Sequence, residues 1–174
     1  MSVPQFHLRR AIASDLDPIL ALERATDLAP HWPPSTYADI LESNALGAPS
    51  IPRSLRNGWE TEIQRCLFVA ENDNSLIGFA VGLLHPAASS RTAELESVVV
   101  SANSRRAGIG RALCRAVLDW SRSQGATEVV LEVRASSSAA VALYASLGFT
   151  TTARRPRYYQ DPADDALLMR LQLE

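Results

Sequence analysis

Apolar and polar positions along the chain repeat with two periods, and the change from one to the other organises the sequence. Residues 6–10 are a short strand candidate. Over residues 14–26, Leu16, Ile19, Leu20 and Glu23 recur at helical spacing, with Ser14 placed to cap and Asp15 and Asp17 in the first turn. Residues 29–34 (APHWPP) form a loop, because proline removes donors and restricts the residue before it. A second helix is predicted over 35–43, and residues 44–65 read as a long loop or an insertion.

The period then shortens. Residues 66–71 and 76–84 read as a hairpin turned at 72–75, and residues 94–100 as a third strand with a Val98-Val99-Val100 core. Residues 111–123 are helical, with Leu113, Val117, Leu118 and Trp120 on one face. A buried strand at 128–133 is followed by a helix from Ser136–Ser138 to Leu147, stopped by Gly148. Residues 150–153 and 166–173 complete an antiparallel pair. Together these predict an α/β domain over 1–174, with a single mixed sheet of six to seven strands and helices on both faces.

Composition narrows the classes. A hydrophobic fraction of 47% in 174 residues suffices for a core and excludes general disorder. No apolar run approaches the roughly twenty residues that cross a bilayer. The opening MSVPQFHLRR has no apolar leader region, so no secretory signal is expected. Cys66 and Cys114 form no CxxC pair and His7, His31 and His85 are scattered, so no metal box can be written and a reducing cytoplasm is expected.

Charge is divided unevenly. Residues 1–100 carry seven Arg and twelve acids, a balance of -5, whereas residues 101–157 carry nine Arg and three acids, a balance of +6. All the basic residues are Arg, whose fork suits phosphate, although a GC-rich genome explains the same bias. The basic block holds Arg105-Arg106-Ala107-Gly108-Ile109-Gly110-Arg111 between a valine-rich strand and an amphipathic helix. Glycines there admit close backbone approach, and the first helical N–H groups present positive charge, which together read as a pyrophosphate cradle. A P-loop needs a Lys the chain lacks, and the dinucleotide fingerprint fails at Leu113. A tight turn without ligand is the plain alternative.

The motif RRAGIG resembles the [QR]-x-x-G-x-[GA] loop of the general N-acetyltransferase (GNAT) superfamily. LEVRASSSAAVALYASLGF, residues 131–149, is similar to the bacterial ribosomal-protein-alanine N-acetyltransferases, as are Arg155, Tyr158-Tyr159 and Asp164-Asp165-Ala166 in the tail and the His31-Trp32-Pro33 loop. The resemblance implies a GNAT fold splayed between its fourth and fifth strands, with acetyl-CoA in the gap and no metal. It implies that the backbone of Val98, Val99 and Val100 pairs with pantetheine, that Arg105, Arg106, Ala107, Gly108, Ile109, Gly110 and Arg111 hold the pyrophosphate, and that Ser137, where the family has Asn, and Tyr144 also meet the cofactor.

By the same resemblance Glu132 is the base and Tyr144 the acid. The residues support those roles. Glu132 interrupts VVLEV, a run that reads as buried, where a carboxylate needs a partner or a task; a salt bridge to Arg134 or another Arg is the plain reading. A phenol near pKa 10 matches a leaving thiolate; the plain reading of Tyr144 is a half-buried aromatic. Glu94 and Glu96 are rival bases, alternating on the fourth strand and so facing one side of the sheet; Glu94 matches the base position of the histone-type branch. Trp32, Tyr37, Tyr158 and Tyr159 are the expected acceptor-binding residues, with the 44–65 stretch beside them. The function implied is acetylation of a protein N-terminal α-amine, first of all an N-terminal Ala of a small-subunit ribosomal protein. A small-molecule amine, another protein, or an inactive acyl-CoA-binding module are the alternatives. Neither a membrane nor direct nucleic-acid binding is expected, since no aromatic-interleaved RNA motif accompanies the Arg residues.

Overall fold

The computed structural model describes residues 6–46, 63–73, 75–85 and 91–174. Strand β1 (His7–Arg10) leads through a 3-10 turn (Ala13–Asp15) into α1 (Leu16–Arg24) and α2 (Pro34–Leu46). Strands β2 (Gln64–Asn72), β3 (Ser75–Leu84) and β4 (Thr92–Val100) form a meander. Helix α3 (Ile109–Ser123), β5 (Glu128–Arg134), α4 (Ser138–Ala145), β6 (Thr150–Gln160) and β7 (Ala163–Gln172) follow. All seven strands join one sheet in the order β1-β2-β3-β4-β5-β7-β6, with β4 and β5 its parallel pair. The predicted mixed sheet flanked by helices is therefore present.

Each face of the sheet carries its own core. One joins Leu113, Val117 and Trp120 of α3 to Cys66, Ala80, Leu95, Val129 and Leu131. The other packs Ile19 of α1 with Tyr37 and Ile40 of α2 against Leu67, Val69, Phe79, Val81 and Val99. Small residues on β3 let α3 lie close: a Cβ added to Gly82 would stand 2.6 Å from a Val117 methyl and 3.0 Å from the Cys66 sulfur. Cys66 and Cys114 are free and buried, and burial pushes each thiol up to about 12.

Four boundaries differ from the sequence reading, each for a local reason. Ser14 does not cap; Asp15, the third residue of the 3-10 turn, reaches back instead, its carboxylate accepting from the Ile12 N–H at 2.8 Å and from Arg9 at 2.7 and 2.9 Å. Helix α2 continues to Leu46 because Asn44 is tied inward, its side-chain amide donating to the carbonyls of Ala11 and Leu67. Gln64 and Arg65 already belong to β2, so of the predicted 44–65 insertion only residues 47–62 lie outside the described residues. Strand β6 runs on to Gln160, so Tyr158 and Tyr159 stand on a strand and not in a connection. Pro156 misled the pattern; it is tolerated because β6 is an edge strand whose ladder breaks between Arg155 and Tyr159, where Arg157 takes a φ of 54°.

Candidate functional site

The site begins where β4 and β5 part. They pair over three rungs, Thr92 with Glu128, Ala93 with Val129 and Glu94 with Val130. Beyond Glu94, β5 stays with β7 along its whole length, from Glu128 opposite Gln172 to Arg134 opposite Ala166. The edge of β4 from Leu95 to Val100 is thus left without a strand beside it among the described residues. A bulge accompanies the parting: Val81 faces Ser97 but Gly82 faces Leu95, leaving Glu96 as the extra residue. The bulge resets the alternation, so Ala93 and Leu95 before it and Val98 and Val100 after it all face the α3 core, while Val99 faces the α1–α2 core.

The open edge leads to the cradle. After the turn Ala102–Ser104, Arg106 and Gly108 take φ values of 66° and 82°, and α3 starts at Ile109 with no side chain capping it. Its first helical hydrogen bond runs from the Ala112 N–H to the Gly108 carbonyl. The preceding N–H groups of the first turn therefore lack intrahelical partners. A Cβ on Gly108 would meet nothing within 4 Å, so the backbone there faces open space. Arg105 and Arg106 are exposed; the Arg105 Nε donates to the Val100 carbonyl at 3.2 Å. Arg111 donates to the Ser146 hydroxyl at 2.7 Å, linking α3 to the end of α4. Ile109 is buried, so it contributes its backbone and anchors the turn with its side chain. Unpaired N–H donors at a helix N-terminus beside exposed arginines are an arrangement that can receive an anion.

The three candidate carboxylates share one face. Val129, Leu131 and Val133 of β5 point into the α3 core, so Glu132 points to the opposite side, the side of Glu94 and Glu96. Each already has a partner. Glu94 Oε2 lies 3.0 Å from His85 Nε2. Glu96 receives Arg65 on both oxygens, at 2.8 and 3.1 Å. Glu132 Oε1 accepts from Arg155, and the nearby Glu132 carboxylate raises the Tyr158 phenol above its ordinary value. The sequence reading placed Glu132 in a fully buried run; only one face of β5 is buried, and the Glu132 side chain retains 26% exposure. Its partner is Arg155 rather than Arg134. Arg134 spends its donors on the carbonyls of Asp161 and Pro162 and lies 4.1 Å from the Tyr159 ring centroid.

Tyr144 comes from the other face. Its ring is buried in the α3 core, edge-on to Phe149 at 6.0 Å. Burial raises its phenol well above the ordinary value, helped by Cys114 and Tyr159, so it holds its proton at neutral pH. Among the described residues its hydroxyl makes no hydrogen bond. Ser137 starts α4, with its carbonyl accepting from Ala140 and Val141. The same loop is tied to β7 through Asp164, which takes the Ser136 N–H at 3.2 Å and the Ser136 hydroxyl at 2.6 Å.

Trp32, Tyr158 and Tyr159 are half-buried or exposed, and the two tyrosine rings pack edge-on at 5.2 Å. Tyr37 does not join them. It is fully buried, 5.9 Å from Phe79 and 5.5 Å from Trp32 between ring centroids, with its hydroxyl on Glu23. It supports the Trp32 ring from within the core, and its burial leaves no surface open to an acceptor. Sequence reasoning missed Arg65, His85 and Glu23 as parts of the site. For Glu23 the signal was present: a carboxylate at the fourth position of an otherwise apolar helical face.

Comparison with known proteins bears on this arrangement. Residues 27–149 match the acetyltransferase (GNAT) family. The [ribosomal protein bS18]-alanine N-acetyltransferase of Escherichia coli (strain K12) is 42% identical over 81 residues, covering 45% of this chain and 55% of that protein. The chain thus spans about half the length of the curated relatives it matches. Over the full fold, the crystal structure of the ribosomal-protein-S18-alanine N-acetyltransferase from Escherichia coli superimposes with a TM-score of 0.72 at 26% identity, covering 98% of this chain and 95% of that one. A NatC complex bound to Gag peptide and CoA shares the fold with a TM-score of 0.77 at 21% identity, covering 98% and 99%.

Proposed function

The chain belongs to the acetyltransferase (GNAT) family, and we propose that it transfers the acetyl group of acetyl-CoA to the α-amino group of a protein N-terminus. The first candidate is the N-terminal Ala of a small-subunit ribosomal protein, modified in the cytoplasm. The observation that carries this reading is the parting of β4 from β5, with an uncapped helix N-terminus at one end and carboxylates along one face.

The residues present fit acetyl-CoA as co-substrate. The open edge of β4 at Val98–Val100 offers backbone groups spaced for the amides of a pantetheine arm, as a neighbouring strand would be. The N–H groups from Gly108 to Arg111, with Arg105 and Arg106, meet a pyrophosphate. Ser137, which starts α4 just after β5, has a hydroxyl that both donates and accepts. The bulge at Glu96 turns β4 backbone toward the gap, where an N–H can stabilise a developing oxyanion.

An incoming α-ammonium has a pKa near 8, so one proton must leave before the nitrogen attacks the thioester carbon. Glu132 is the proposed base. Arg155 holds its Oε1 and thereby its orientation. Glu96 is the least available of the three, because Arg65 occupies both its oxygens. Glu94, bound to His85, is the alternative base. As the carbon–sulfur bond breaks, Tyr144 gives its proton to the departing thiolate from the opposite side of the sheet. The Trp32 loop and the Tyr158–Tyr159 pair form the walls of an acceptor groove between them.

The test is incubation with acetyl-CoA and a panel of peptides differing at the first residue, read by mass. A single added acetyl group on the N-terminal nitrogen is expected, with Ala-initiated peptides modified fastest. Efficient modification of a peptide with a blocked N-terminus and a free Lys would remove the α-amine assignment.

A further inference from the structure

Glu23 is nearly inaccessible, with 2% exposure, yet lies among the apolar residues of α1 and has no ion pair among the described residues. A buried carboxylate without a cation persists only when its acceptor sites are used. Here one oxygen, Oε1, takes two donors: the backbone N–H of Trp32 at 3.0 Å and the hydroxyl of Tyr37 at 2.5 Å. The first belongs to the loop between the helices and the second to α2, so a single atom of α1 joins three segments.

That loop needs a tether. His31, one residue before Trp32, has a φ of 52°, which for a residue with a Cβ costs about 1 kcal/mol or more and survives only where the surroundings enforce it. Prolines at 30, 33 and 34 stiffen the loop but do not choose its height above the sheet. The Trp32 N–H is the anchor, and the Trp32 ring rests on Tyr37. Tyr37 in turn stands within the electrostatic reach of Glu96, which is held by Arg65 of β2.

We propose that Glu23 is a positioning residue that fixes the Trp32 loop over the acceptor groove and so sets the affinity for the acceptor, without touching acceptor or cofactor. The inference rests on the reading that this loop meets the acceptor.

Three variants test it: Glu23→Ala, Glu23→Gln and Tyr37→Phe. Glu23→Ala is expected to raise the peptide KM about tenfold, equivalent to roughly 1.4 kcal/mol, with the acetyl-CoA KM unchanged. Glu23→Gln retains an acceptor oxygen and should restore most of the loss, and Tyr37→Phe should fall between them. Acrylamide quenching of Trp32 fluorescence, taken as the difference from a Trp32→Phe protein, should rise in the order Gln, Phe, Ala. Should Glu23→Ala fail to fold, Tyr37→Phe and Glu23→Gln carry the same comparison. A lowered Tm with unchanged peptide KM and unchanged quenching would overturn the proposal, leaving Glu23 a structural residue. A wild-type protein that acetylates no peptide would remove the acceptor reading alone, since quenching still decides whether Glu23 orders the loop.

Discussion

The two sides of the β4–β5 gap are built on different principles. The cradle side is made of backbone: an unpaired strand edge, two left-handed residues and the first turn of α3, all within residues 95–111. The proposed acceptor side is made of side chains from six separate elements, held by two ion pairs, Arg65 to Glu96 and Arg155 to Glu132, and by the hydrogen bond from Tyr37 to Glu23. A backbone site binds what every member of a family shares, because its donors do not depend on side-chain identity. A side-chain site can change its ligand by single substitutions, and so is where the proposed function puts acceptor choice.

The sharpest way to break this contrast is to alter one reacting group from each side of the sheet. Glu132→Gln and Tyr144→Phe are each expected to lower kcat by roughly a hundred- to ten-thousand-fold, the usual range for a lost general base or acid. Acetyl-CoA binding, measured by calorimetry, should survive both. If Glu132→Gln keeps full activity and Glu94→Gln does not, the base moves to β4.

A smaller effect separates the cradle from the groove. Gly108→Val places a branched side chain at a φ of 82°, which costs about 1–3 kcal/mol of strain. Acetyl-CoA affinity should fall while the acceptor KM measured at saturating acetyl-CoA stays as in wild type. Equal losses in both constants would show that the two sides do not act separately.

Arg65→Met probes the other side. It strips the cation from Glu96, whose side chain is 12% exposed. The pair is partly solvated, so the loss of stability is about 1–2 kcal/mol rather than the larger cost of orphaning a fully buried charge. Urea unfolding measures it, and peptide KM should rise with no change in acetyl-CoA KM.

The smallest effect is a pH dependence. Hydrogen bonds from Arg9 hold the Asp15 carboxyl below its ordinary 3.8. The unfolded chain therefore takes up this proton first, and the stability contributed is complete above that value and lost as pH falls through the lower folded value. Arg9→Met should move the acid-unfolding midpoint upward, and leave stability above pH 6 reduced by a constant amount.

The same division explains what could be read from the sequence. The strand–loop–helix that carries the proposed cradle was legible because it is local: RRAGIG, a valine-rich strand before it and an amphipathic helix after it are contiguous, and Gly108 has the positive φ its residue type allows. Glu132 was legible as a carboxylate in an apolar strand, but not its exposure, because pattern alone cannot tell a strand buried on both faces from one whose second face opens into a gap. Arg155 and Arg65 gave no sign of their partners; pairings across 23 and 31 residues are set by strand order, not by spacing. Tyr37 was expected at the acceptor with Trp32, Tyr158 and Tyr159, and the packing of α2 buries it instead. The end of β6 was missed because Pro156 reads as a stop, although an edge strand needs only half of its hydrogen-bonding groups.

That interrupted end of β6 has a bearing on how the molecule behaves among its own copies. Exposed strand edges are templates on which a second molecule can add a strand, and repeated addition gives stacked aggregates. Strand β6 spans eleven residues, nearly all solvent-exposed, which is long enough to serve. Its missing N–H at Pro156, its kink at Arg157 and its three arginines deny a straight, neutral register to any incoming strand. The irregularity beside the proposed groove is thus also a guard against edge-to-edge association. Pro156→Val combined with Arg157→Thr should leave the fold intact and bring concentration-dependent light scattering that the wild-type chain does not show.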